Sequence, residues 1–578
     1  MAKNRIKNTK IWFLYGMLLG AVCFVLIYGI KVLDVTNDSW IMLSKDPDIK
    51  QHYLGWCHYR KSPWGFPIGM IDSLSYPYKM SVIYTDSIPL FAVIFKALRF
   101  FLPKPFQYLG IYGLLSMMLT GGFATLLVKK VSKGILTSLM APILFIVSPI
   151  MLQRMFYHTS LASQWIILWG IYVLFDQIGH SSKFYQKDIW MVMGITCVLV
   201  HIYFMPIIFG LMCAASLEKY LKDKEFFNTI WIFICNLLYF SIPAAITMFV
   251  FGAFDLPVNS SDNYAVGEFN ANLNTFINPG NMSRILKELP IYGEFQHEGF
   301  AYLGLGMILL IVFVILAGVS EFIVKKGGIK KKLSLDTMSV SVILVSLVFL
   351  FFSISPVFAI NDKLIFAFKY PDTIASLIGV FRSNGRFIWP VIYFIYLGAI
   401  QGIEGVFKAK WIPQLIILLI CVIQIFDLSE MIIHKREVYA LNDETYSNIW
   451  EKYVGDKIDG YERFIMFTDH IQAYINVGYY SYMHDKKMSR FYFARDIDEA
   501  VTKNLDVYSE ALHRGESKDD EIYVFWKDGY KEYVDCGLHF YNIKYIVFGT
   551  KNRVEGLEEV SVEELLAKEA DNWGKGKK

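Results

Sequence analysis

Acids, histidines and aromatic residues crowd the polar segment from Asp46 to Asp86, which follows the first long apolar stretch. The segment begins Asp46-Pro47-Asp48, where Asp46 can cap a helix and Pro47 suits its first position. A helix continuing from there puts Asp48 and His52 one turn apart on the same face. Such a pair can act as a general base and its partner, removing a proton from a hydroxyl. The alternative is that Asp48 is simply a favourable first-turn acid.

Two arginines, Arg382 and Arg386, flank a short Ser-Asn-Gly sequence just before a later apolar stretch. They can extend to lipid headgroups, or they can bind a phosphate through the fork of guanidinium N–H donors. We favour phosphate binding, because fixed cations stabilise the negative charge that develops on a leaving phosphate. Four further residues are candidates for substrate binding. Arg60 and Tyr84 belong to the polar segment 46–86, and His158 and Glu298 lie near the ends of later apolar stretches. For Glu298, lining a cavity and capping a helix are equally good interpretations.

The composition predicts the setting of these residues. The chain has 578 residues, of which 55% are hydrophobic and 19% charged, whereas soluble domains carry about 25% charge. Several stretches approach the roughly 20 apolar residues that cross a bilayer. The sequence therefore predicts a polytopic membrane protein. The net charge of +4 gives no indication of nucleic-acid binding, because the lysines cluster at the ends of apolar stretches.

The lysine clusters also predict a topology. A basic leader precedes the first apolar stretch, which places the N-terminus in the cytoplasm because positive flanks stay inside. The stretch 87–102 contains Lys96 and Arg99, and a charge at mid-bilayer costs about 2.5–3.5 kcal/mol. We therefore predict an interfacial helix there, with both cations contacting headgroups. About eleven spans then place every lysine cluster on one side. They are residues 11–32, 106–128, 136–152, 161–175, 190–204, 205–217, 226–251, 302–324, 338–358, 388–407 and 412–426.

The character of the chain changes near its end. Residues 430–578 mix charged and aromatic residues, with strand-like runs and one amphipathic helical pattern. We predict a mostly α membrane domain over 1–429, with its first outer loop at 33–105 and outer juxtamembrane helices. A small extracytoplasmic α/β domain is predicted over 430–578.

Several short motifs resemble one family when taken together. They are QHYLGW, YTDSIPL, FQYLG, EGFAYLGLG and FRSNGRFIWP. Their order and their places beside the spans resemble a bacterial branch of the GT-C superfamily of membrane glycosyltransferases, over about residues 35–405. The resemblance makes Asp48 the first-loop catalytic acid, with Asp86 as the next candidate. It departs from many members at MLQRMFYHTSLAS, where Arg154 and His158 stand and a second acid is absent, which leaves a divalent metal requirement open.

The resemblance implies an enzyme of the plasma membrane. It would transfer a sugar from a polyprenyl-phosphate donor to a glycan or lipid acceptor of the cell envelope, with membrane lipid around it. No organic cofactor is indicated. Two alternatives remain: a transporter or flippase of lipid-linked glycans, and a non-catalytic envelope assembly protein. Transporters place polar groups near the midplane, whereas the polar groups here gather at one face, which favours the enzyme.

Overall fold

The computed structural model describes residues 2–179, 187–255, 266–324, 339–494 and 498–561. The protein is mostly α-helical, with a small C-terminal sheet, as predicted. The helices are α1 (Ala2–Tyr28), α2 (Ser39–Met42), α3 (Pro47–Lys61), α4 (Pro89–Ala97), α5 (Leu109–Val131), α6 (Ile135–Met140), α7 (Pro142–Ile146), α8 (Pro149–Arg154), α9 (Trp165–Gly179), α10 (Lys187–Val200), α11 (Phe204–Asp223), α12 (Phe226–Val250), α13 (Leu305–Val324), α14 (Val340–Ile354), α15 (Asp372–Gly379), α16 (Trp389–Val406), α17 (Trp411–Asp427), α18 (Ser429–Arg436), α19 (Ile449–Tyr453), α20 (Ile471–Met483) and α21 (Asp498–His513). The strands are β1 (Met70–Ser75), β2 (Tyr78–Ser81), β3 (Val357–Ile360), β4 (Lys363–Ala367), β5 (Arg463–Phe467), β6 (Lys487–Met488), β7 (Glu521–Trp526), β8 (His539–Ile543) and β9 (Ile546–Thr550).

Many of these helices belong in a bilayer. Among the described residues, six stretches are long and apolar enough to cross a membrane, or seven if the bent pair formed by α17 and the helix after it is one span. The six stretches are Asn8–Tyr28, Leu109–Val131, Ile135–Arg154, Phe204–Asp223, Phe226–Val250 and Asn384–Val406. Shorter apolar helices occupy Trp165–Asp176, Asp188–Val200, Leu305–Ser320 and Val340–Ile354. The protein is therefore a multi-pass membrane protein, and the predicted orientation of its termini stays a prediction.

Contacts divide the chain into two compact units. The first comprises residues 1–37, 108–245 and 261–443, and the second comprises 38–107, 246–260 and 444–578. The segment after the first span thus belongs to the same unit as the C-terminal sheet. The predicted domains 1–429 and 430–578 divide the chain by membrane location, and that division stays a prediction.

Small residues bring the helices of the first unit together. Helix α1 packs along α5, and a Cβ atom at Gly16 or Gly20 of α1 would collide with main-chain atoms of α5 at Gly121 or Met117. In lipid, where hydrophobic attraction between helices is absent, van der Waals packing is one of the forces that join helices, and small residues strengthen it by letting the backbones approach closely. The two glycines therefore fix the distance between α1 and α5.

The second unit is built around a five-stranded sheet with strand order β6-β5-β7-β9-β8. Strand β5 pairs in parallel with β6 and β7, whereas β9 pairs antiparallel with β7 and β8. Ile465 and Phe525 belong to a buried apolar cluster on this sheet, as is typical of a sheet covered by other elements. Helix α20 packs against α3, so the sheet unit supports the helix that carries the candidate acid.

The helix predicted to lie in the interface is α4, and one of its expected contacts is wrong. Lys96 is fully buried, with its ammonium 3.9 Å from the ring centre of Tyr59 and 4.8 Å from that of Trp64. The lysine therefore lies inside an aromatic cage and does not reach headgroups. Burial, aided by the charge of Arg99, lowers the pKa of Lys96 to about 8. The attraction of a cation to ring faces explains why this site accommodates it.

Candidate functional site

Helix α3 of the second unit positions the predicted catalytic acid. The Asp46 carboxylate accepts from the Asp48 amide at 2.9 Å, and Pro47 occupies the first turn, as predicted. Asp48 is half-buried, and its Oδ1 accepts a hydrogen bond from the Tyr492 hydroxyl at 3.1 Å. The carboxylate is thus held at one oxygen by a phenol from a distant part of the sequence.

One turn further along α3, His52 faces the second predicted acid. Its side chain is 1% exposed, and its Nε2 lies 3.9 Å from Oδ2 of Asp86, which is 16% exposed. Asp86 has a left-handed backbone (φ 51°), and so does Ile88 (φ 53°). Ser87 between them donates to the His52 carbonyl at 2.6 Å. Left-handed conformations cost about 1–3 kcal/mol each outside glycine and cluster at functional sites, so the surroundings hold this carboxylate in a conformation that the chain alone disfavours.

A segment from the C-terminal part of the chain crosses this site. In what we call the 489–494 segment, the Tyr492 carbonyl accepts from the Gln51 amide group at 3.0 Å. The Ala494 amide donates to the Tyr84 carbonyl at 2.9 Å. Phe491 is buried and packs near Tyr474 of α20. Main-chain contacts on both sides therefore hold the Tyr492 phenol over the start of α3.

Two predicted substrate-binding residues of this unit already have protein partners. The Tyr84 hydroxyl donates to the Ala253 carbonyl. The Arg60 guanidinium donates to the carbonyls of Pro103 and Leu102, each at 2.7 Å, and the side chain is 8% exposed. Arg60 thus fixes the chain that follows α4. Asp48, His52 and Asp86 remain as the chemically suited groups of this unit.

The first unit holds a buried cluster of three charged residues, the Arg–Glu–Arg cluster. Glu298 Oε2 accepts from Arg154 Nη2 at 3.0 Å and from Arg386 Nε and Nη2 at 3.0 and 2.8 Å. Their side chains are 8%, 1% and 9% exposed. Burial acts to raise the pKa of Glu298, but the guanidinium groups of Arg154 and Arg386, helped by nearby His158, outweigh it and hold that pKa well below its usual range.

Close backbone approach assembles this cluster. A Cβ atom at Gly385 would lie 2.5 Å from the Gly299 Cα and 2.7 Å from the Phe269 carbonyl oxygen, and one at Gly299 would collide with Ala271. The Gly385 amide donates to the Phe269 carbonyl at 3.0 Å. The residues directly before Gly299 and after Gly385 are Glu298 and Arg386. The ion pair between Glu298 and Arg386 therefore depends on two glycines, because a side chain at either position would push the two chain segments apart.

The cluster carries an excess of positive charge. Two guanidinium groups share one carboxylate, and Arg154 Nε has no hydrogen-bond partner in the described part of the chain. The Thr159 and Ser160 hydroxyls in the loop after α8 are likewise buried without a described partner. Arg382 is exposed and lies 5.6 Å from the ring centre of Phe269. Donors and net positive charge of this kind are suited to a phosphate.

An apolar groove lies between three helices of the same unit. It encloses about 390 Å³ between α13, α14 and α16, and apolar side chains dominate its lining, with Ser346 as a polar exception. Leu350, near the end of α14, and Val391, in the first turn of α16, line one end. The Asn384 amide group donates to the Phe352 and Ser355 carbonyls at 2.7 and 2.6 Å. That end of the groove is therefore joined to the chain that carries Arg382 and Arg386.

One group of residues has the spacing of a metal site. In the regions that the structure describes, it consists of Asp456, Asp459 and His484. Both aspartates are exposed, and Nε2 of His484 lies 2.9 Å from Glu451. None of the predicted site residues belongs to this group.

Three residues that contact the predicted site residues are not among the candidates drawn from the sequence. Tyr492 contacts Asp48 from 444 positions away, and nothing in the local sequence indicates this. Arg154 was noted only for the acid it replaces, although it pairs with Glu298. Tyr203 lies with its ring centre 4.5 Å from the Arg386 guanidinium and accepts from the Ser383 amide at 3.0 Å; a tyrosine two residues after His201 beside an apolar run was the available signal.

The fold and these sites define a multi-pass membrane protein built from two units. The first unit holds a buried cationic cluster and an apolar groove, and the second holds the candidate acid and the C-terminal sheet. The chain belongs to the family described as Domain of unknown function (DUF6311), whose model matches residues 17–429. The model of the DUF6311 C-terminal domain matches residues 450–550. No curated protein matches the sequence.

One of the solved structures that resemble the chain covers most of its length. It is the crystal structure of the oligosaccharyltransferase of Archaeoglobus fulgidus in the apo form, with 10% sequence identity and a TM-score of 0.43 over 96% of this chain and 77% of that chain. A likeness at this level assigns neither residues nor activity.

Proposed function

We propose that this protein is a membrane glycosyltransferase that takes a sugar from a polyprenyl-phosphate carrier and transfers it to an extracytoplasmic acceptor of the cell envelope. A carrier of this class combines a long apolar chain with an anionic phosphate. A protein that binds it needs an apolar surface open to lipid and cations at the end of that surface. Its active site needs a base to remove a proton from the acceptor hydroxyl.

The observation that carries the proposal is the apolar groove with cations at its end. Val391, at one end of the groove, is five residues from Arg386, and Ala399 lines the groove about two turns along α16. Eight residues of helix give about 12 Å of apolar wall. Arg382 is exposed and is the cation best placed to meet a lipid phosphate. Arg386 already binds Glu298 through two of its nitrogens, so its role is to add positive potential from a fixed position.

The second unit supplies the candidate base. Asp48 is half-buried and is oriented by the Tyr492 hydroxyl, and it takes the role of general base for the acceptor. Asp86, in its left-handed conformation beside His52, is the second candidate for this role. The two oxygens of a carboxylate offer about four lone-pair sites, so Asp48 can accept the Tyr492 hydrogen bond and also the proton of an acceptor hydroxyl.

The test is an assay of purified protein in lipid nanodiscs with a panel of polyprenyl-phosphate sugars and a panel of hydroxyl acceptors. We compare the wild type with Asp48→Asn, Asp86→Asn and Arg382→Gln. The matched control is Asp528→Asn, because Asp528 is half-buried like Asp48. We expect the wild type to turn over one donor. Asp48→Asn should abolish this turnover, Arg382→Gln should raise the KM for the donor, and the control should leave turnover unchanged.

Two other results would change the assignment. Turnover that survives Asp48→Asn and disappears with Asp86→Asn would keep the reaction and move the base to Asp86. The absence of turnover for every donor, together with movement of a lipid-linked glycan across vesicles, would overturn the proposal in favour of the flippase.

A further inference from the structure

The hairpin of β3 and β4 exposes apolar side chains to an unusual extent. Every residue of β4 is exposed, and its sequence is Lys-Leu-Ile-Phe-Ala. Leu364, Ile365 and Phe366 are 47%, 59% and 55% exposed, and Ile360 of β3 is 45% exposed. Long apolar edge strands in water are aggregation sites that soluble proteins avoid. These side chains therefore require an apolar partner.

The hairpin is held firmly, so its exposure is built into the fold. Its turn residue Asn361 has a left-handed backbone (φ 54°). The Asn361 amide donates to Asn272 at 3.1 Å, the Asn272 amide group donates to the Asn361 carbonyl at 2.9 Å, and the Asn274 amide group donates to the Asn361 side chain at 2.9 Å. Leu273 donates to the Ala359 carbonyl at 2.9 Å on the β3 side. Protein thus buries Ala359 of β3, whereas Ile360 and every residue of β4 are exposed.

The exposed surface continues that of α14. Leu347, Val348 and Phe351 of α14 are 55%, 50% and 48% exposed, as expected of a helix that faces lipid tails. Phe351 lies 6.2 Å from Phe358 of β3, which lies 5.9 Å from Phe366 of β4 (ring centres). An unbroken apolar and aromatic surface therefore runs from the helix to the hairpin.

The length of α14 indicates the depth of the hairpin. Its 15 residues span about 22 Å, which is shorter than the roughly 30 Å hydrocarbon core of a bilayer. The hairpin follows directly at the end of α14 and extends its apolar surface. Within the described residues its sheet has two strands, so one edge of β4 retains unpaired N–H and C=O groups, which hydrocarbon does not satisfy. The boundary between acyl chains and headgroups meets both requirements.

We propose that the β3–β4 hairpin is a membrane-embedded element, with Leu364, Ile365 and Phe366 in the acyl boundary and the edge of β4 among hydrated headgroups. Its partner is the phospholipid bilayer that surrounds α14. The inference does not depend on the proposed reaction.

The position of the hairpin in the membrane also determines the position of the segment that carries Arg382 and Arg386. After the hairpin, the Tyr370 hydroxyl lies 2.6 Å from the Ser355 hydroxyl at the end of α14. Asn384 binds the same end of that helix through the Phe352 and Ser355 carbonyls. The hairpin and the segment with Arg382 are therefore attached to one helix end. Insertion of the hairpin fixes that end, and Arg382 with it, at the level of lipid phosphates.

Spin labels measure this depth directly. In full-length protein with its native cysteines replaced by alanine, single variants Ile365→Cys and Phe366→Cys are labelled in nanodiscs of phosphatidylcholine and phosphatidylglycerol. Collision with oxygen, which concentrates in the bilayer, is compared with collision with a water-soluble nickel chelate. Leu316→Cys on α13, at a residue that is 63% exposed, is the lipid reference, and Lys551→Cys, just after β9, is the aqueous reference.

We expect the hairpin labels to have an oxygen-to-nickel ratio several-fold above that of Lys551→Cys and below that of Leu316→Cys, because the hairpin lies nearer the headgroups than the middle of α13. A ratio equal to that of Lys551→Cys would overturn the proposal in favour of an aqueous hairpin. Protection from both reagents would overturn it in favour of a second copy or another protein covering the strand. If the cysteine-free chain does not fold, p-benzoylphenylalanine can replace Phe366 in the otherwise native chain. Photo-crosslinking to phospholipid would then support the proposal, and crosslinking to protein would overturn it.

Discussion

The Arg–Glu–Arg cluster provides the sharpest test of the first unit, through Glu298→Gln. The substitution keeps the size of the side chain and removes the one negative charge that holds Arg154 and Arg386 together. Breaking a buried ion pair by removing one partner typically costs about 3–5 kcal/mol, because the other charges stay buried without compensation. We expect a loss of stability of this order. Glu294→Gln is the matched control, since Glu294 is exposed at the start of the short 3-10 helix Glu294–Gly299 that carries Glu298. Surface substitutions usually change the free energy of unfolding by no more than about 0.5 kcal/mol.

The same substitution has an opposite effect on anion binding. With Glu298 neutral, both arginines can turn toward an anion, so a polyprenyl phosphate should bind more tightly to the variant than to the wild type. A ligand at 100 times its Kd stabilises a protein by about 2.7 kcal/mol. Thermal unfolding in detergent is measured at one scan rate with and without polyprenyl phosphate. We expect the lipid to raise the midpoint of thermal unfolding by more in Glu298→Gln than in the wild type or in Glu294→Gln.

Two outcomes would refute this reasoning. One is a midpoint for Glu298→Gln equal to that of Glu294→Gln, which would mean that the cluster contributes no stability. The other is an equal effect of the lipid on all three proteins, which would separate the cluster from anion binding. The wild type adds a pH signature: because the pKa of Glu298 is held below its ordinary value of 4.5, the stabilisation is complete above pH 4.5 and declines as the pH falls toward the folded-state pKa.

Three further predictions concern single positions. Burial lowers the pKa of His58 from 6.5 to about 4, so the unfolded chain binds more protons than the folded chain between these pH values. The free energy of unfolding should therefore fall, on the order of 3 kcal/mol, as the pH drops from 6.5 to 4. Denaturation curves of His58→Gln should lack this decline. Gly385→Ala should abolish the cluster and lower the unfolding midpoint, because its Cβ would lie 2.5 Å from main chain, whereas Gly405→Ala, where nothing lies within 4 Å, should be neutral or slightly stabilising. Tyr492→Phe should lower kcat several-fold and leave thermal stability unchanged, because it removes one partly exposed hydrogen bond to the candidate base; equal kcat for Tyr492→Phe and the exposed control Tyr453→Phe would exclude a positioning role for the phenol.

Local signals in the sequence predicted the fold. The cap at Asp46, the apolar stretches and the strand runs of the C-terminal part depend on neighbouring residues, and each appears in the structure. Glu298 and Arg386 were recognised as separate candidates, but their pairing depends on the contact between Gly299 and Gly385, which no periodicity encodes. The sequence does not reveal the burial of Lys96 for a related reason, because the rings of Tyr59 and Trp64 that offset the cost of a buried charge are distant in sequence.

The composition of the second unit has a consequence for synthesis of the protein. His58 donates through Nε2 to the Gly478 carbonyl, 420 positions later, so the first part of this unit leaves the ribosome long before its partners exist. At about 5–20 residues per second, roughly 20–80 s pass before the pairing can form. During that interval α3 exposes His58 and Trp56, which the folded protein buries, to chaperones and proteases. Chains interrupted before α20 should therefore be degraded rapidly, which makes the last quarter of the sequence a checkpoint for completion of the whole molecule.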